Sequence, residues 1–177
     1  VVVEGPDGSG KSTQAARLVS ILRETGLEVL EVREPGGTPL GERLRAVLLD
    51  PETGEIDVRT EMLLYMASRA ELVASRIRPA LARGACVLAD RFVSSTLAYQ
   101  GAAGGLDQVA IRDAARAACG EVTPDLVAIF DVDESTAAGR MGLLRDRMEA
   151  RGSASHAAVR RGYHEQVKAE PETHVLI

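Results

Sequence analysis

Gly5-Pro6-Asp7-Gly8-Ser9-Gly10-Lys11-Ser12 follows the pattern G-x-x-x-x-G-K-[ST], and residues of these types at this spacing suit the binding of a polyphosphate. Glycines reach backbone angles closed to other residues and carry no Cβ, so the chain can wrap an anion with its N–H groups turned inward. Lys11 can then reach β- and γ-phosphates, and the Ser12 hydroxyl can ligate Mg²⁺. The motif needs a strand before it and a helix after it. Val1-Val2-Val3 supplies an apolar run on one side, and residues 12–24 read as helical on the other, so the positive end of that helix adds to the attraction for anions.

Three further groups of charged residues stand where chemistry is expected. Arg33 and Glu34 follow the β-like run Val29, Leu30, Val32, and Asp90 and Arg91 close the apolar run Cys86-Val87-Leu88-Ala89. Ligands of open α/β sheets collect at the ends of such strands. In P-loop enzymes an acid at the place of Asp90 supports Mg²⁺ or its waters; the plain alternative is an aspartate that caps the next helix. Arg140, Arg145 and Arg147 form a late charge run with Asp146 and Glu149, whose ordinary meaning is a solvated face.

The elements that must position these residues alternate. Apolar residues recur at helical spacing over 12–24, over 39–49 with Pro39 in its first turn, and over about 60–83 with Pro79 as a kink or restart. Further helical patterns cover 106–119, 135–151 and 157–168, and 94–99 continues as a helix before a flexible loop at Gly101-Ala102-Ala103-Gly104-Gly105. Strands are expected at 1–3, 29–32, 86–90 and 125–131, with a fifth beginning at Val175. This alternation calls for an α/β fold of three layers: a parallel sheet of about five strands, helices on both faces, and right-handed crossovers.

Composition narrows the function classes. A chain of 177 residues with 45% apolar and 27% charged residues has the size and balance of one globular domain. The net charge is −5, with both signs interspersed, which argues against a nucleic-acid surface; an anionic substrate must be held by local arginines. No apolar run approaches the ~18–20 residues of a membrane span, and no signal peptide is visible, so a cytoplasmic protein is expected. Cys86 and Cys119 lack metal spacing and read as reduced core thiols. His156, His164 and His174 are scattered and read as packed or solvent-facing. The chain opens in an apolar stretch without methionine and closes on Val175-Leu176-Ile177, so a longer parent chain is expected at both ends.

Taken together, Glu4-Gly5-Pro6-Asp7-Gly8-Ser9-Gly10-Lys11-Ser12-Thr13-Gln14, Arg33-Glu34-Pro35-Gly36-Gly37-Thr38, Asp90-Arg91-Phe92 and Ser95-Thr96-Leu97-Ala98-Tyr99-Gln100-Gly101 resemble the bacterial thymidylate kinase family, a P-loop kinase fold. The resemblance runs from the first residue to about Tyr163. It implies ATP as donor on Gly5, Pro6, Asp7, Gly8, Ser9, Gly10, Lys11, Ser12 and Thr13, dTMP as acceptor, and Mg²⁺ on Ser12 and Asp90. It makes Asp7 the acceptor of a hydrogen bond from the deoxyribose 3′-hydroxyl and sets Glu34 beside the acceptor phosphate, held by Arg45 and Arg91. Tyr65, usually phenylalanine in relatives, would stack on thymine, and Arg69 would donate to a thymine carbonyl. Thr96, usually serine, and Gln100 would flank the ring edge. An ordinary aromatic–cation pair is the plain alternative for Tyr65 and Arg69. The family is commonly homodimeric, and a homodimer is expected by resemblance.

Two departures matter. One branch of the family carries an arginine where this chain has Gly8, so the catalytic arginine is expected from a lid at about 139–152, among Arg140, Arg145 and Arg147. That lid is short for the family: either it is truncated or a piece of it lies outside the given sequence. The implied reaction is transfer of the ATP γ-phosphoryl group to dTMP, giving dTDP for dTTP synthesis. The rivals are a kinase for another nucleoside monophosphate, a nucleotide switch, and an ATPase motor or DNA-associated module. The switch is opposed by the lack of N-K-x-D and of D-x-x-G after the third strand.

Overall fold

The computed structural model describes residues 1–140, 147–148 and 152–177. Five strands, β1 (Val2–Glu4), β2 (Val29–Arg33), β3 (Cys86–Asp90), β4 (Val127–Ile129) and β5 (His174–Leu176), form one parallel sheet in the order β2-β3-β1-β4-β5. Side chains alternate across each strand, and here the alternation divides the core. Val2, Val87 and Ala89 join one cluster, while Val3 and Leu88 join the opposite one. A parallel sheet needs both faces covered, and helices supply that cover.

On one face lies α1 (Lys11–Glu24), whose Ala15 and Val19 pack on Val3 and Leu88. Against the other face lies a long helical passage: α3 (Val58–Leu72), a π-helical turn Val73–Ile77, and α4 (Arg78–Ala82). Leu72, Val73, Ile77 and Ala80 are buried there. The expected kink at Pro79 is therefore a π turn followed by a restart, with Pro79 in the first turn of α4; a widened turn accommodates a residue that cannot donate into the helical ladder. Between β2 and α3 stands α2 (Pro39–Leu49), capped by the Thr38 hydroxyl, which accepts from the Gly41 N–H at 2.9 Å.

After β3 the chain forms α5 (Val93–Thr96) and a π-helical continuation, Leu97–Ala103. The expected flexible loop at Gly101–Gly105 is thus corrected in its first three residues, which are helical. Packing explains the difference: α8 (Ser153–Ala169) crosses this stretch at Gly162, where a Cβ would come within 2.6 Å of the Ala102 Cβ. Between them run α6 (Gln108–Cys119) and α7 (Glu134–Arg140). The helix expected over 135–151 is described only in α7; Arg147 and Met148 form a turn, and the remainder of that expectation lies outside the described residues.

The register sets what meets at one edge. Val3 and Arg33 both pair with Asp90, and Glu4 pairs with Ile129. The glycine loop after β1, the Arg33-Glu34 turn after β2 and the Asp90-Arg91 turn after β3 consequently emerge side by side at the carboxyl end of the sheet, where β1 separates neighbours that the chain reaches in opposite directions.

Candidate active site

A cleft of about 540 Å³ opens at that edge, lined among others by Asp7, Lys11, Glu34, Arg45, Tyr65 and Asp90. Arg91, Thr96, Gln100 and Arg140 complete its wall. The glycine loop forms its floor. Gly8 has φ 78° and lies so close to α7 that a Cβ would sit 2.5 Å from the Ala137 carbonyl oxygen. A side chain there, such as the arginine of the other family branch, has no room. Arg140 of α7 instead lays Nη1 3.4 Å from the Gly8 carbonyl, which brings its guanidinium onto the loop. Arg145 lies outside the described residues.

Lys11 is buried, its Nζ donating to the Pro6 carbonyl at 2.8 Å and standing 4.0 Å from Asp7. Burial, followed by the charge of Arg91, pushes it down to about 8 despite Asp7, Asp90 and Glu4. Ser12 Oγ donates to Asp90 Oδ2 at 3.1 Å. The N-cap of α5 is Phe92 rather than Asp90. The buried hydroxyl of Ser9 has no hydrogen-bond partner among the described residues.

Arg91 anchors the centre. It forms an ion pair with Asp7, donates to the Gly5 carbonyl at 3.2 Å and to Ser95 Oγ at 3.1 Å, and lies 5.3 Å from the centroid of the Tyr99 ring. Its φ of 73° is unusual outside glycine, a strain of order 1–3 kcal/mol that packing must hold in place. Tyr99 Oη donates to Asp7 Oδ2 at 2.9 Å. Burial works to raise Asp7, but Arg91, Lys11 and Tyr99 outweigh it and keep the carboxyl below its ordinary range.

Behind this sits a carboxylate that sequence reading gave no role. Glu4 is fully buried; its Oε1 accepts from the N–H groups of Phe92 (2.7 Å) and Ser95 (3.1 Å), and its Oε2 from Ser95 Oγ (2.6 Å) and Tyr163 Oη (3.0 Å). It thereby caps α5 and fixes the turn that carries Arg91. The signal was a charged residue ending an otherwise apolar strand.

On the acceptor side Arg45 Nη1 donates to the Pro35 carbonyl at 2.9 Å. Glu34 is buried and pushed up to about 7 by burial, against the pull of Arg69. Its Oε1 has no hydrogen-bond partner among the described residues, and Oε2 lies 2.6 Å from Arg69 Nη2. Removing one partner of such a pair costs about 3–5 kcal/mol, because the other charge stays buried alone.

Tyr65 lines the cleft, half-buried, but Arg69 is set behind the wall with 1% of its surface exposed. Its Nε donates to Glu34 Oε2 (2.7 Å), Nη1 to Thr96 Oγ1 and Met66 Sδ (both 3.2 Å), and Nη2 to the Phe92 carbonyl (2.9 Å). Its cation–π contact is with Phe92, 5.2 Å from the ring centroid. Arg147, expected among the lid arginines, turns toward Glu61 of α3, with which it forms an ion pair, and donates from Nε to the Leu48 carbonyl at 2.7 Å. Glu61, likewise without a role in the sequence reading, also accepts from Gln100 Nε2 at 2.7 Å.

Comparison with known proteins decides among the P-loop classes. A family model described as thymidylate kinase matches residues 3–177. The chain belongs to the thymidylate kinase family. Thymidylate kinase of an Exiguobacterium species is 47% identical over 180 residues, covering 100% of this chain and 84% of that protein. That of Deinococcus radiodurans is 45% identical over 184 residues, with 100% and 86% covered. A crystal structure of thymidylate kinase from Ehrlichia chaffeensis superposes with a TM-score of 0.83 at 32% identity, covering 99% of this chain and 90% of that one. The P-loop kinase fold and dTMP kinase activity expected from the sequence are thereby supported, and the switch, motor and other monophosphate kinase readings are not favoured.

Proposed function

We propose that the chain, as a single kinase domain spanning 1–177, transfers the γ-phosphoryl group of ATP to the 5′-phosphate of dTMP with the following division of labour. The observation that carries the assignment is one cleft in which Lys11, Arg45, Arg91 and Arg140 surround the space between the glycine loop and Tyr65. The acceptor oxygen is already anionic, so no covalent intermediate is needed; the protein positions two anions in line and offsets charge on the transferring group. Lys11 and the loop from Gly5 to Thr13 hold the donor phosphates, with the Ser9 hydroxyl, unpartnered among the described residues, as a further donor. Arg140 reaches the transferring group from the lid side.

Arg45 and Arg91 hold the acceptor phosphate, with Glu34 beside it. Asp7, whose oxygens keep lone pairs beyond those used by Arg91 and Tyr99, receives the deoxyribose hydroxyl. Tyr65 stacks on thymine, flanked by Thr96 and Gln100. Arg69 can serve a base carbonyl with the hydrogen it now gives to Met66 sulfur, the weakest of its acceptors.

Ser12 and Asp90 would hold Mg²⁺. A hydroxyl and a carboxylate converging beside the loop fit an ion that keeps several waters and shares phosphate oxygens with its protein ligands. When bound it would offset charge on the β- and γ-phosphate oxygens. Two free thiols, Cys86 and Cys119, accord with a reducing cytoplasm. Exposed Val47, Leu63 and Val109 on α2, α3 and α6, where α3 packs against both of the others, support a homodimer through these helices.

Arg45→Ala and Arg91→Ala test the assignment. Each should raise KM for dTMP by about tenfold or more, the loss of a charge-assisted contact, with KM for ATP little changed. A loss confined to ATP would put both residues on the wrong side of the site.

A further inference from the structure

The dTMP assignment leaves open how a neutral amide at Gln100 can tell one pyrimidine from another. An amide can turn either its oxygen or its NH₂ toward a base, and the two faces select opposite partners. Around Gln100 that choice is made. Its Nε2 lies 2.7 Å from Glu61 Oε1, in a buried contact 39 residues apart in sequence. Glu61 has no exposed surface, and its other oxygen is paired with Arg147. A carboxylate so paired can only accept, so Gln100 must face it with NH₂. The amide oxygen is left for the cleft that Gln100 lines and takes no hydrogen bond among the described residues.

Glu61 and Tyr65 are four residues apart on α3, and Thr96 and Gln100 are four apart on the facing helical stretch. Each pair shares a helix face. The carboxylate that orients Gln100 therefore stands one turn from the proposed stacking ring.

We infer that Glu61 is a positioning residue for base choice: by fixing the Gln100 amide with its oxygen toward the base, it makes the pocket accept a ring N–H. This inference rests on the dTMP kinase reading. Thymine and uracil carry an imide N–H between two carbonyls, whereas cytosine presents a bare ring nitrogen at the same place, whose lone pair would meet the Gln100 oxygen. A pocket whose polar group is left unpaired by the wrong ligand discriminates strongly.

The test compares kcat/KM for dTMP and dCMP in the unmutated protein, Glu61→Gln, Gln100→Leu and the double variant. An amide at position 61 offers either an oxygen or an NH₂, so Gln100 is free to turn. Glu61→Gln should lower the dTMP preference by about tenfold or more, chiefly through KM for dTMP, with KM for ATP unchanged. In the Gln100→Leu background the same change should have no further effect on the ratio, because the amide through which Glu61 acts is gone. An unchanged ratio in Glu61→Gln, or an equal fall in both backgrounds, overturns the inference while leaving the dTMP reading intact. Equal use of dTMP and dCMP by the unmutated protein overturns both. Should Glu61→Gln fail to fold with Arg147 left unpaired, Glu61→Gln/Arg147→Met removes the stranded charge, and the same comparison with the same two outcomes applies.

Discussion

Lys11 is held between competing influences. Its ammonium is buried and close to Arg91, both of which disfavour charge, and only Asp7, Asp90 and Glu4 oppose them, leaving it at about 8. A polyphosphate in the loop would favour the charged form, so above about pH 8 ATP binding must draw in a proton. The sign follows: ATP affinity is full below that pH and falls as pH rises through it, by at most about tenfold per unit for a single proton. The pH profile of kcat/KM for ATP should therefore bend downward above about pH 8. A profile flat to about pH 10 would show that Lys11 does not bind the donor.

Among helices and strands, two glycines make opposite predictions. Glycine in a helix interior costs roughly 0.5–1 kcal/mol relative to alanine. In α7, Gly139 has nothing among the described residues within 4 Å of the place a Cβ would take, so Gly139→Ala should stabilise by about that amount. In α8, a Cβ on Gly162 would meet Ala102 at 2.6 Å and the Ala98 Cα at 3.2 Å. Overpacking of this kind costs about 1–3 kcal/mol, which outweighs the propensity gain, so Gly162→Ala should lower Tm by several degrees at roughly 2–4 °C per kcal/mol. Thermal melts of the two variants give the comparison directly. This contact leaves no local signal in the sequence. Gly101-Ala102-Ala103-Gly104-Gly105 has the composition of a loop, and its small residues serve instead to admit α8. The strand Cys86–Asp90 and the helix Pro39–Leu49 were legible to the residue, because apolar period and a proline start are local signals. The π turns were not, since widening a turn leaves no mark in composition. In the site, the meeting of the motif residues in one cleft was legible from spacing, but Glu4 and Glu61 act on partners 91 and 39 residues away, and the pairing of Arg69 with Glu34 leaves no mark in spacing.

For the whole molecule, the sheet order brings three strand ends to one edge, and the cleft there gathers cations although the chain is acidic overall, at −5. Val47, Leu63 and Val109 remain 44%, 58% and 64% exposed. If they are covered by a second copy, Leu63→Lys should shift sedimentation toward the monomer mass without loss of fold; a wild-type chain that sediments as a monomer at micromolar concentration would contradict the dimer. The central claim is that the cleft transfers phosphate to a thymine nucleotide. It is tested most directly by ADP release with ATP and each of dTMP, dUMP, dCMP, AMP, GMP and CMP in turn. The account predicts that dTMP is used best, that dUMP follows closely because a methyl group changes burial by only about 1 kcal/mol, and that dCMP and the purine nucleotides fall behind dTMP by about a hundredfold or more in kcat/KM. Equal turnover of dTMP and dCMP, or a preference for a purine monophosphate, would contradict it.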